Sequence, residues 1–489
     1  MESPRQACHD ASGVALLLVL AILTTLSLLG LTMISGSLTE AQICENYSHD
    51  TTALMLAETG LHRALLELRG KSFSQALKGL SGRIDITEEE ARTFDFRNPI
   101  PLRGYGLPPQ RLDLGDPEQI AAAARTDVGM LPEIGRRGVG YYLRKGPDGR
   151  FGTADDEAFF ESEQASRPDD ALIGRYLVKV TNNPDDPGGP FDDRDGTLII
   201  RSMGLVRMSP ARRLWGARNA MKLLETRVRL DMTFETDAPI TILGPSLAAE
   251  RTRLLEPGRF RVYGNEHLGL AIINTTGLYM DTLAEPMTQQ LLRTEGSEAV
   301  SGAGLVPSIR NLTSLVRAGQ VWGGRPNVDC KRVLDAALLR RFIYEKLPAL
   351  ADQIYRGGDP GDAAWSGTID RPRLTWVDGN LTITGSPSGA GLLIVTGRLK
   401  VTGNPHFRGL VLVIGEQAAL DMDGQPRIEG GLWLARLRSA GEEAAFDTAR
   451  LSLSGYFENR SDWNYQKLAM SLLPFVPLQW REIHPEMEP

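Results

Sequence analysis

Residue types that carry most catalytic and metal chemistry are scarce in this 489-residue sequence, which contains three cysteines and six histidines. The histidines are scattered, and no cysteine–histidine spacing typical of a zinc site occurs. The sequence also lacks an HExxH motif, a Walker A loop and a dinucleotide-binding glycine motif. Because the net charge is −7, nothing indicates nucleic-acid binding. We therefore expect a protein that acts by assembly or interaction and is not an enzyme.

The three cysteines do not define a disulfide framework. They are Cys8, Cys44 and Cys330, and the first precedes the long apolar segment of the chain. A disulfide between Cys44 and Cys330 would be stable outside the cytoplasm. Since nothing in the sequence places these two positions together, we favour two unpaired thiols.

Acidic residues are concentrated between residues 141 and 196, which hold thirteen acidic and seven basic side chains. They fall in two loops, GPDGRFGTADDEAFF and NNPDDPGGPFDDRDG, which lie among apolar runs typical of strands. Ca²⁺ takes about six to eight oxygen ligands from loops of this composition, so it is the one cofactor that the sequence indicates. The candidate ligands are Asp148, Asp155, Asp156, Asp185, Asp186, Asp192, Asp193 and Asp195. Neither loop has the ligand order of an EF-hand, and a solvated polar loop is the alternative.

A short polar leader precedes an uncharged apolar run at the amino terminus. Residues 14–34 are 21 residues without a charge, enough as a helix to cross a hydrocarbon core about 30 Å thick. Cleavage between Gly13 and Val14 would remove residues 1–13 and leave the apolar helix on the mature protein, unlike cleavage of a secretory signal. Arg5 and the amino terminus favour an orientation with the leader inside and the body outside.

The apolar pattern becomes one-sided beyond residue 34. Leucine and alanine recur at spacings of three and four residues, as on one face of an amphipathic helix, at Leu54, Ala57, Leu61, Ala64, Leu65 and Leu68. We predict one helix from about residue 14 to residue 69, with a lipid-compatible first half and a second half that packs on a globular head. A single-pass anchor followed by a separate helix is the alternative.

The segments SGVALLLVLAILTTLSLLGLTM and TTALMLAETGLHRAL resemble the amino terminus of PilX-type minor pilins of type IV pili. The resemblance implies cleavage by prepilin peptidase between Gly13 and Val14, and methylation. It also implies a single-pass state in the inner membrane with the amino terminus inside, followed by extraction into a filament at the cell surface. The implied partners are other pilins and minor pilins, the prepilin peptidase and the inner-membrane pilus assembly platform.

Leu18 departs from the pattern of major pilins, which usually carry a glutamate as the fifth mature residue. A carboxylate at that depth in a membrane is costly unless it is paired, and in the family it is thought to pair with a neighbour's amino terminus. Its absence marks some minor pilins at the filament tip, including the type II secretion pseudopilin GspK. The resemblance therefore implies a subunit at or near the tip that contributes to pilus assembly and cell adhesion.

Glycine recurs every six residues in the carboxy-terminal region, at positions 379, 385, 391, 397, 403, 409 and 415. Short β-type segments such as LTI, LLIV, LKV and LVLV lie between the glycines. This period predicts a β-solenoid-like stack, because each short strand must turn at a permissive residue. An antiparallel meander with hairpins of similar length is the alternative. The repeat and the Asp-rich hairpin also resemble parts of long PilX-like proteins.

The predicted fold class is α+β, with a long pilin-like amino-terminal helix followed by a β-rich body that contains the glycine-hexad segment. We predict five parts: a leader (1–13), the pilin-like helix (14–70, of which 14–34 is transmembrane), an α/β head with the acidic loops (71–235), a mixed α/β region (236–356) and a β-rich glycine-repeat domain with a carboxy-terminal tail (357–489). Further helices are predicted at 307–318, 333–355 and 467–473, and a short one in ITEEEARTF.

Two other functions stay open from the sequence. A large GspK-like pseudopilin of a type II secretion system would share the start of the chain, although a glycine-hexad repeat is not expected there. A membrane-anchored β-helical protein acting on polysaccharide would need paired carboxylates on one face of the repeat, for which Asp421 and Asp423 are the candidates.

Three weaker features favour packing over chemistry. The motif GSPSG at 385–389 has the outline of a nucleophile elbow, but Pro387 stands where the nucleophile would be. Glu266 and His267 are adjacent, and we expect them to be structural or at the surface. The tryptophans that border the repeat are expected to pack, with a sugar-binding platform as the alternative, and they are Trp365, Trp376 and Trp433.

Overall fold

A computed structural model describes residues 6–69, 73–78, 139–150, 155–162, 171–186, 189–193, 195–206, 220–249, 261–263, 268–276, 285–294, 296–303, 306–320, 328–440, 443–454 and 458–483. These residues form a long amino-terminal helix followed by a body rich in β-sheet, which confirms this part of the α+β prediction. Residues 1–5 of the predicted leader and the predicted helix in ITEEEARTF lie outside the described residues.

The amino-terminal helix, α1, spans Gln6–Leu68 and is 63 residues long. Its backbone is helical without a break between the apolar run and the amphipathic stretch, so the alternative of an anchor followed by a separate helix is wrong. The large apolar side chains of residues 14–34 are 48% to 72% exposed. By length and composition this half of α1 is able to cross a membrane. A short helix, α2 (Phe73–Lys78), follows.

The head is a six-stranded antiparallel sheet with the strand order β2-β1-β3-β4-β5-β23. Its strands are β1 (Val139–Arg144), β2 (Glu157–Ser162), β3 (Ala171–Asn182), β4 (Thr197–Val206), β5 (Ala220–Leu230) and β23 (Phe475–Glu482). The strand β23 comes from the carboxy-terminal end of the chain and pairs with β5. The head sheet therefore combines five strands from residues 139–230 with one strand from residues 475–482.

The second half of α1 packs on β3, β4 and β5 of the head sheet. The buried face has alternating small and large apolar side chains, which are Ala53, Leu56, Ala57, Leu61, Ala64 and Leu68. Four of these belong to the predicted stripe, whereas Leu54 and Leu65 are only partly buried. Burying one leucine stabilises such a contact by roughly 1.5–3 kcal/mol, so packing holds this half of the helix. Gly60 allows a close approach, since a Cβ atom there would lie 2.2 Å from Ser202 Oγ.

The remaining strands form a second unit, here called the stacked body (residues 240–461), which consists of two mainly parallel sheets. The twelve-stranded sheet contains β6 (Ile240–Gly244), β8 (Arg261–Tyr263), β9 (Leu270–Asn274), β10 (Val300–Ser301), β11 (Ile309–Asn311), β12 (Gln353–Arg356), β13 (Arg373–Asp378), β15 (Ser388–Val395), β17 (His406–Gly415), β19 (Arg427–Ala440), β20 (Glu443–Asp447) and β22 (Glu458–Ser461). The five-stranded sheet contains β7 (Leu247–Ala249), β14 (Leu381–Ile383), β16 (Arg398–Val401), β18 (Ala419–Met422) and β21 (Ala449–Leu453).

Three glycine hexads make one layer of the stacked body. Leu374, Leu392 and Leu410 are in register on β13, β15 and β17, so neighbouring layers are 18 residues apart. The next layer is offset by 21 residues, as the pairing of Leu410 with Gly431 shows. These strands are parallel, and the alternative of an antiparallel meander is therefore wrong for this region.

The glycines stack in columns because adjacent layers leave no room for a side chain at the corners. A Cβ atom on Gly403 would lie 2.0 Å from the carbonyl oxygen of Gly385, and one on Gly409 would lie 2.0 Å from that of Gly391. Gly391, Gly409 and Gly430 also have φ values of 124°, 143° and 135°, which L-residues rarely adopt. Glycines of the six-residue period therefore lie where neighbouring layers approach backbone to backbone.

Strands from two distant stretches of the chain share this stack. The strand β19 pairs with β22 through residues 427–430 and with β6 through residues 432–435. The strand β22 in turn pairs with β8, and β6 pairs with β9. The layers of the glycine repeat therefore continue directly into strands from the region between residues 240 and 311.

Helices lie between and beside these strands. They are α3 (Pro286–Leu292), α4 (Thr313–Ala318), α5 (Ala336–Arg341), α6 (Leu347–Leu350) and α7 (Trp463–Met470), with a π-helical turn at Phe342–Lys346 and 3₁₀ turns at Ser297–Ala299, Val328–Leu334 and Gly361–Ala364. One core fills the interior of the stack, including Leu393, Val411 and Leu434. A second core joins the opposite face of the strands, at Trp376, to the helices and the head.

Three predicted helices have different bounds in the structure. The helix predicted at 307–318 begins only at Thr313, because Ile309–Asn311 pairs with β9 as a strand. The helix predicted at 333–355 begins after Asp335, whose side chain caps its amino terminus, and it ends before the strand β12. The helix predicted at 467–473 spans Trp463–Met470 and is capped by Asp462.

Candidate functional site

The predicted processing residues lie in the exposed half of α1. Gly13 and Val14 are both within the helical backbone, and the Val14 side chain is 64% exposed. Leu18, at the position of the pilin glutamate, is 60% exposed. The most apolar stretch of α1 is not buried by any described part of the body. This surface is therefore accessible to lipid or to other apolar helices.

The first acidic loop connects β1 to β2 and is organised by its own backbone. Asp156 Oδ1 accepts from the Gly146 amide at 3.2 Å, and Asp155 Oδ2 accepts from the Asp148 amide at 3.3 Å. Asp148 accepts from the Arg150 amide at 2.8 Å. Among the described residues of this loop, which exclude 151–154, three carboxylates do not converge at one point.

The second acidic loop connects β3 to β4 and brings three of the predicted ligands together. One carboxylate oxygen from each of Asp186, Asp193 and Asp195 lies within 4.8 Å of the other two. Asp186 and Asp193 are buried, and Asp195 is half-buried. This loop therefore holds three acidic groups at a separation that one cation is able to bridge.

The other two predicted ligands of this loop, Asp185 and Asp192, lie near positively charged side chains of the protein. Asp185 is exposed, and its Oδ2 lies 3.9 Å from an Arg227 guanidinium nitrogen. Asp192 Oδ1 lies 3.6 Å from Lys467 Nζ. Of the five acidic residues in this loop, the structure therefore places three in one cluster and the other two in ion pairs.

Burial and mutual repulsion perturb the clustered carboxyl groups. Burial raises the pKa of Asp193 well above its ordinary value, and the charges of Asp195 and Asp186 raise it further. Lys467 and the Gly196 amide oppose this shift. Burial likewise raises the pKa of Asp195, against the hydrogen bond from Asn183. The loop thus holds carboxylates in a place that disfavours their charge.

Backbone amides fix the positions of these carboxylates. Asp193 Oδ1 accepts from the amides of Gly196 and Thr197 at 3.0 and 3.2 Å. Asp195 Oδ1 accepts from the Thr197 amide at 2.9 Å, and Asp186 Oδ2 accepts from the Asp195 amide at 3.1 Å. Because these bonds come from the turn into β4, the strand itself holds the carboxylates in position.

Lys467 belongs to this neighbourhood although it is more than 270 residues away in sequence. It lies on α7, and its Nζ donates to the Asp193 carbonyl oxygen at 2.9 Å. No local pattern predicts this contact, because only the folded chain brings the carboxy-terminal helix to the β3–β4 loop.

A second charged cluster, also missed from the sequence, surrounds Glu429 on β19. Its Oε2 is 3.0 Å from Arg408 Nε and 3.2 Å from His406 Nε2, and its Oε1 is 2.6 Å from Arg427 Nη2. Burial acts to raise the pKa of Glu429, but the hydrogen bonds from these three side chains hold it below its ordinary value. These side chains come together because His406 is in register with Arg427, and Arg408 with Glu429, on the adjacent strands β17 and β19.

The carboxylates considered for a hydrolase are engaged by neighbouring side chains. Asp421 forms an ion pair with Arg398, and Asp423 accepts from the Ser454 hydroxyl at 2.8 Å. A groove of about 460 Å³ beside them is also lined by Arg436 and Arg450. It is mainly basic and does not present a matched pair of carboxyl groups.

The three tryptophans near the repeat are buried, as the packing prediction requires. Their exposed fractions are 2–3%, and their indole nitrogens donate to backbone carbonyls of His406, Ile343 and Phe234. The sugar-platform alternative is therefore wrong for Trp365, Trp376 and Trp433. Glu266 and His267 lie outside the described residues.

The two described cysteines are not joined by a disulfide. Cys44 is exposed on α1, whereas Cys330 is buried and lies 3.5 Å from the Val316 carbonyl oxygen. The alternative of a disulfide between Cys44 and Cys330 is therefore wrong.

No protein-family model matches this chain, and no curated protein matches it. Among solved structures, the competence-associated pilin ComZ from Thermus thermophilus is similar to it at 13% identity, over 65% of this chain and 86% of that chain. The TM-score of 0.15 is too low to support any conclusion on fold or function. The chain itself has a long helix with an exposed apolar half, followed by a sheet-rich body.

Proposed function

We propose that this chain is a pilin-like minor subunit of a type IV pilus. The observation that carries the proposal is the division of α1 into an exposed apolar half and a half packed on an antiparallel sheet. A helix of this kind is able to reside in a bilayer and later to exchange lipid for the apolar helices of neighbouring subunits. Its partners would be other pilins, the prepilin peptidase and the inner-membrane assembly platform.

We further propose that the subunit is at or near the filament tip. The stacked body adds more than 200 residues beyond the helix and head, and such a mass is easier to accommodate at an end than within a packed filament. Leu18 supports this placement, because it leaves no buried carboxylate that needs a partner.

The stacked body has the regular parallel layers of a β-solenoid, and we propose that it is one. Its role would be to present a rigid surface for adhesion, without catalysis. The ion pair of Asp421 with Arg398 supports this view over a hydrolytic role.

Amino-terminal sequencing of the membrane form is the experiment that tests the processing step. We expect mature protein to begin at Val14, and Gly13→Ala to leave the leader attached. Ser12→Ala is the matched control and should be processed normally. A wild-type chain that keeps residues 1–13 would contradict the proposal.

Deletion of the gene tests whether the protein belongs to a type IV pilus or to a type II secretion system. Loss of surface filaments or of twitching, with secretion unaffected, is the expected result. If the deletion instead abolished the secretion of folded exoproteins and left the filaments normal, the chain would be assigned to a type II secretion system as a GspK-like pseudopilin.

A further inference from the structure

The β3–β4 loop holds negative charge where water has little access. Asp186 and Asp193 are each 6% exposed, and their carboxylates approach that of Asp195 within 4.8 Å. Gathering carboxylates away from solvent is unfavourable unless a counter-charge accompanies them. By itself this cluster would not define a site.

Asn183 supplies the independent observation. It is 4% exposed, and its Oδ1 is buried and has no hydrogen-bond partner. Its Nδ2 donates to Asp195 Oδ2 at 2.8 Å, so the end of the Asn183 side chain lies against the cluster. A half-turn of the amide exchanges its oxygen and nitrogen and would direct the oxygen at the same point. A buried amide oxygen without a donor beside three carboxylates is the arrangement of a cation site.

We propose that Asn183, Asp186, Asp193 and Asp195 bind one Ca²⁺ ion. All four ligands are oxygens, which suit a hard cation, whereas zinc sites use histidine or cysteine. The ligands come from an irregular loop of mixed amide and carboxylate groups, which suits the variable coordination of Ca²⁺ better than the strict octahedron of Mg²⁺. This inference does not depend on the role in a pilus.

The position of the site gives the ion a structural task. Lys467 of α7 donates to the Asp193 carbonyl oxygen, and the next side chain toward the amino terminus, Gln466, donates to the carbonyl oxygens of Thr236 and Gly430. The helix α7 therefore connects the loop of the head to a glycine column of the stacked body. Ca²⁺ binding would fix the loop and, through Lys467, the contact between head and stacked body.

Calcium titration of the purified full-length protein in detergent, by isothermal calorimetry after chelation, tests the binding. One Ca²⁺ per chain is expected at this site, with Mg²⁺ at least about tenfold weaker. Asp193→Asn and Asp195→Asn keep the side-chain shape and should weaken Ca²⁺ binding by about tenfold or more. Asp185→Asn is the matched control from the same loop and should bind as wild type does.

Unfolding temperatures show whether a variant has lost Ca²⁺ binding or has lost its fold. Removing one of three clustered charges should leave the calcium-free unfolding temperature of Asp193→Asn equal to or above that of wild type. Saturating Ca²⁺ should raise the wild-type value by roughly 3 °C or more and leave the variant unchanged. A wild-type protein that takes up no Ca²⁺, equal affinity for Mg²⁺, or unchanged binding in Asp193→Asn would each overturn the proposed site.

Hydrogen–deuterium exchange tests the structural task. Ca²⁺ should slow exchange in peptides from residues 183–197 and from α7, and Lys467→Met should abolish the effect in α7 alone. Slower exchange in the loop with no change in wild-type α7 would overturn the coupling to the stacked body.

Discussion

Gly204 of β4 lies directly beneath Ala53 of α1. A Cβ atom on Gly204 would be 1.9 Å from the Ala53 carbonyl oxygen and 2.7 Å from the Ala57 amide nitrogen. Helix and strand therefore meet backbone to backbone, and only glycine fits at this position in the sheet. The position of α1 on the head depends on this missing side chain.

Replacing Gly204 by alanine should displace α1 from the head. Because backbone atoms cannot move aside as a side-chain tip does, we expect a loss of about 1–3 kcal/mol in the free energy of unfolding. Thermal unfolding of the full-length protein in detergent, followed by circular dichroism, measures it. Gly36→Ala is the control, since a Cβ atom there meets nothing within 4 Å. Equal unfolding temperatures for the two variants would contradict this account.

Alanine substitutions in the glycine columns should separate backbone strain from steric overlap. Gly379 has a φ of 115° but open space around its Cβ position, so Gly379→Ala should lose only about 1–2 kcal/mol. Gly409 has a φ of 143° and would also place a Cβ atom 2.0 Å from the Gly391 carbonyl oxygen. Gly409→Ala should therefore be the more destabilising by several kcal/mol. Chemical denaturation of both variants gives the comparison, and a Gly379→Ala loss as large as that of Gly409→Ala would show that strain alone matters.

Glu429 should make the stability of the stacked body depend on pH. Its pKa is lowered in the folded protein, so its contribution is fully present above the ordinary value of about 4.5 and is lost as the pH falls through the lower folded value. We expect Glu429→Gln to reduce the free energy of unfolding by roughly 1–2 kcal/mol at neutral pH.

The difference between wild type and Glu429→Gln should shrink steadily below about pH 4.5. Urea denaturation at a series of pH values measures it. Glu443→Gln, an exposed position on β20, is the control and should show no such trend. A constant difference at all pH values would mean that the Glu429 charge does not stabilise this cluster.

Thiol labelling should distinguish the two described cysteines and test the membrane orientation. A membrane-impermeant maleimide added outside the inner membrane should react quickly with Cys44, which is exposed, and with Cys330 only after unfolding. Mature Cys44→Ser protein is the control and should stay unlabelled in the folded state. Protection of Cys44 in intact spheroplasts, with labelling after lysis, would reverse the predicted orientation.

Local sequence patterns predict the helix α1 and the glycine-repeat segment, because both structures depend on residues that are close together in sequence. The apolar run and the stripe through Leu61 and Leu68 predicted α1, and the glycine period predicted a regular β-rich segment. The period alone does not state how many hexads close one layer. That number is set by strand pairing, which places Leu374 beside Leu392.

Long-range contacts explain what the sequence could not supply. Composition indicated the acidic loops but did not separate Asp193, which lies in the cluster, from Asp192, which pairs with Lys467. The direction of each aspartate side chain along the turn decides whether it joins the cluster. Hydrogen bonds to β4 set these directions. The local pattern predicts helix at Ile309–Asn311, where the structure has a strand, because the pairing partner β9 lies some forty residues earlier.

The strand β23 has a consequence for how the protein is made. It is the last strand that the structure describes, yet it pairs in the head sheet with β5, which is synthesised some 250 residues earlier. Until β23 has been synthesised, β5 has no partner on that side, and an unpaired strand edge is able to pair with other chains. A chain that stops before residue 475 would keep the β5 edge unpaired and would lack one strand of the head sheet.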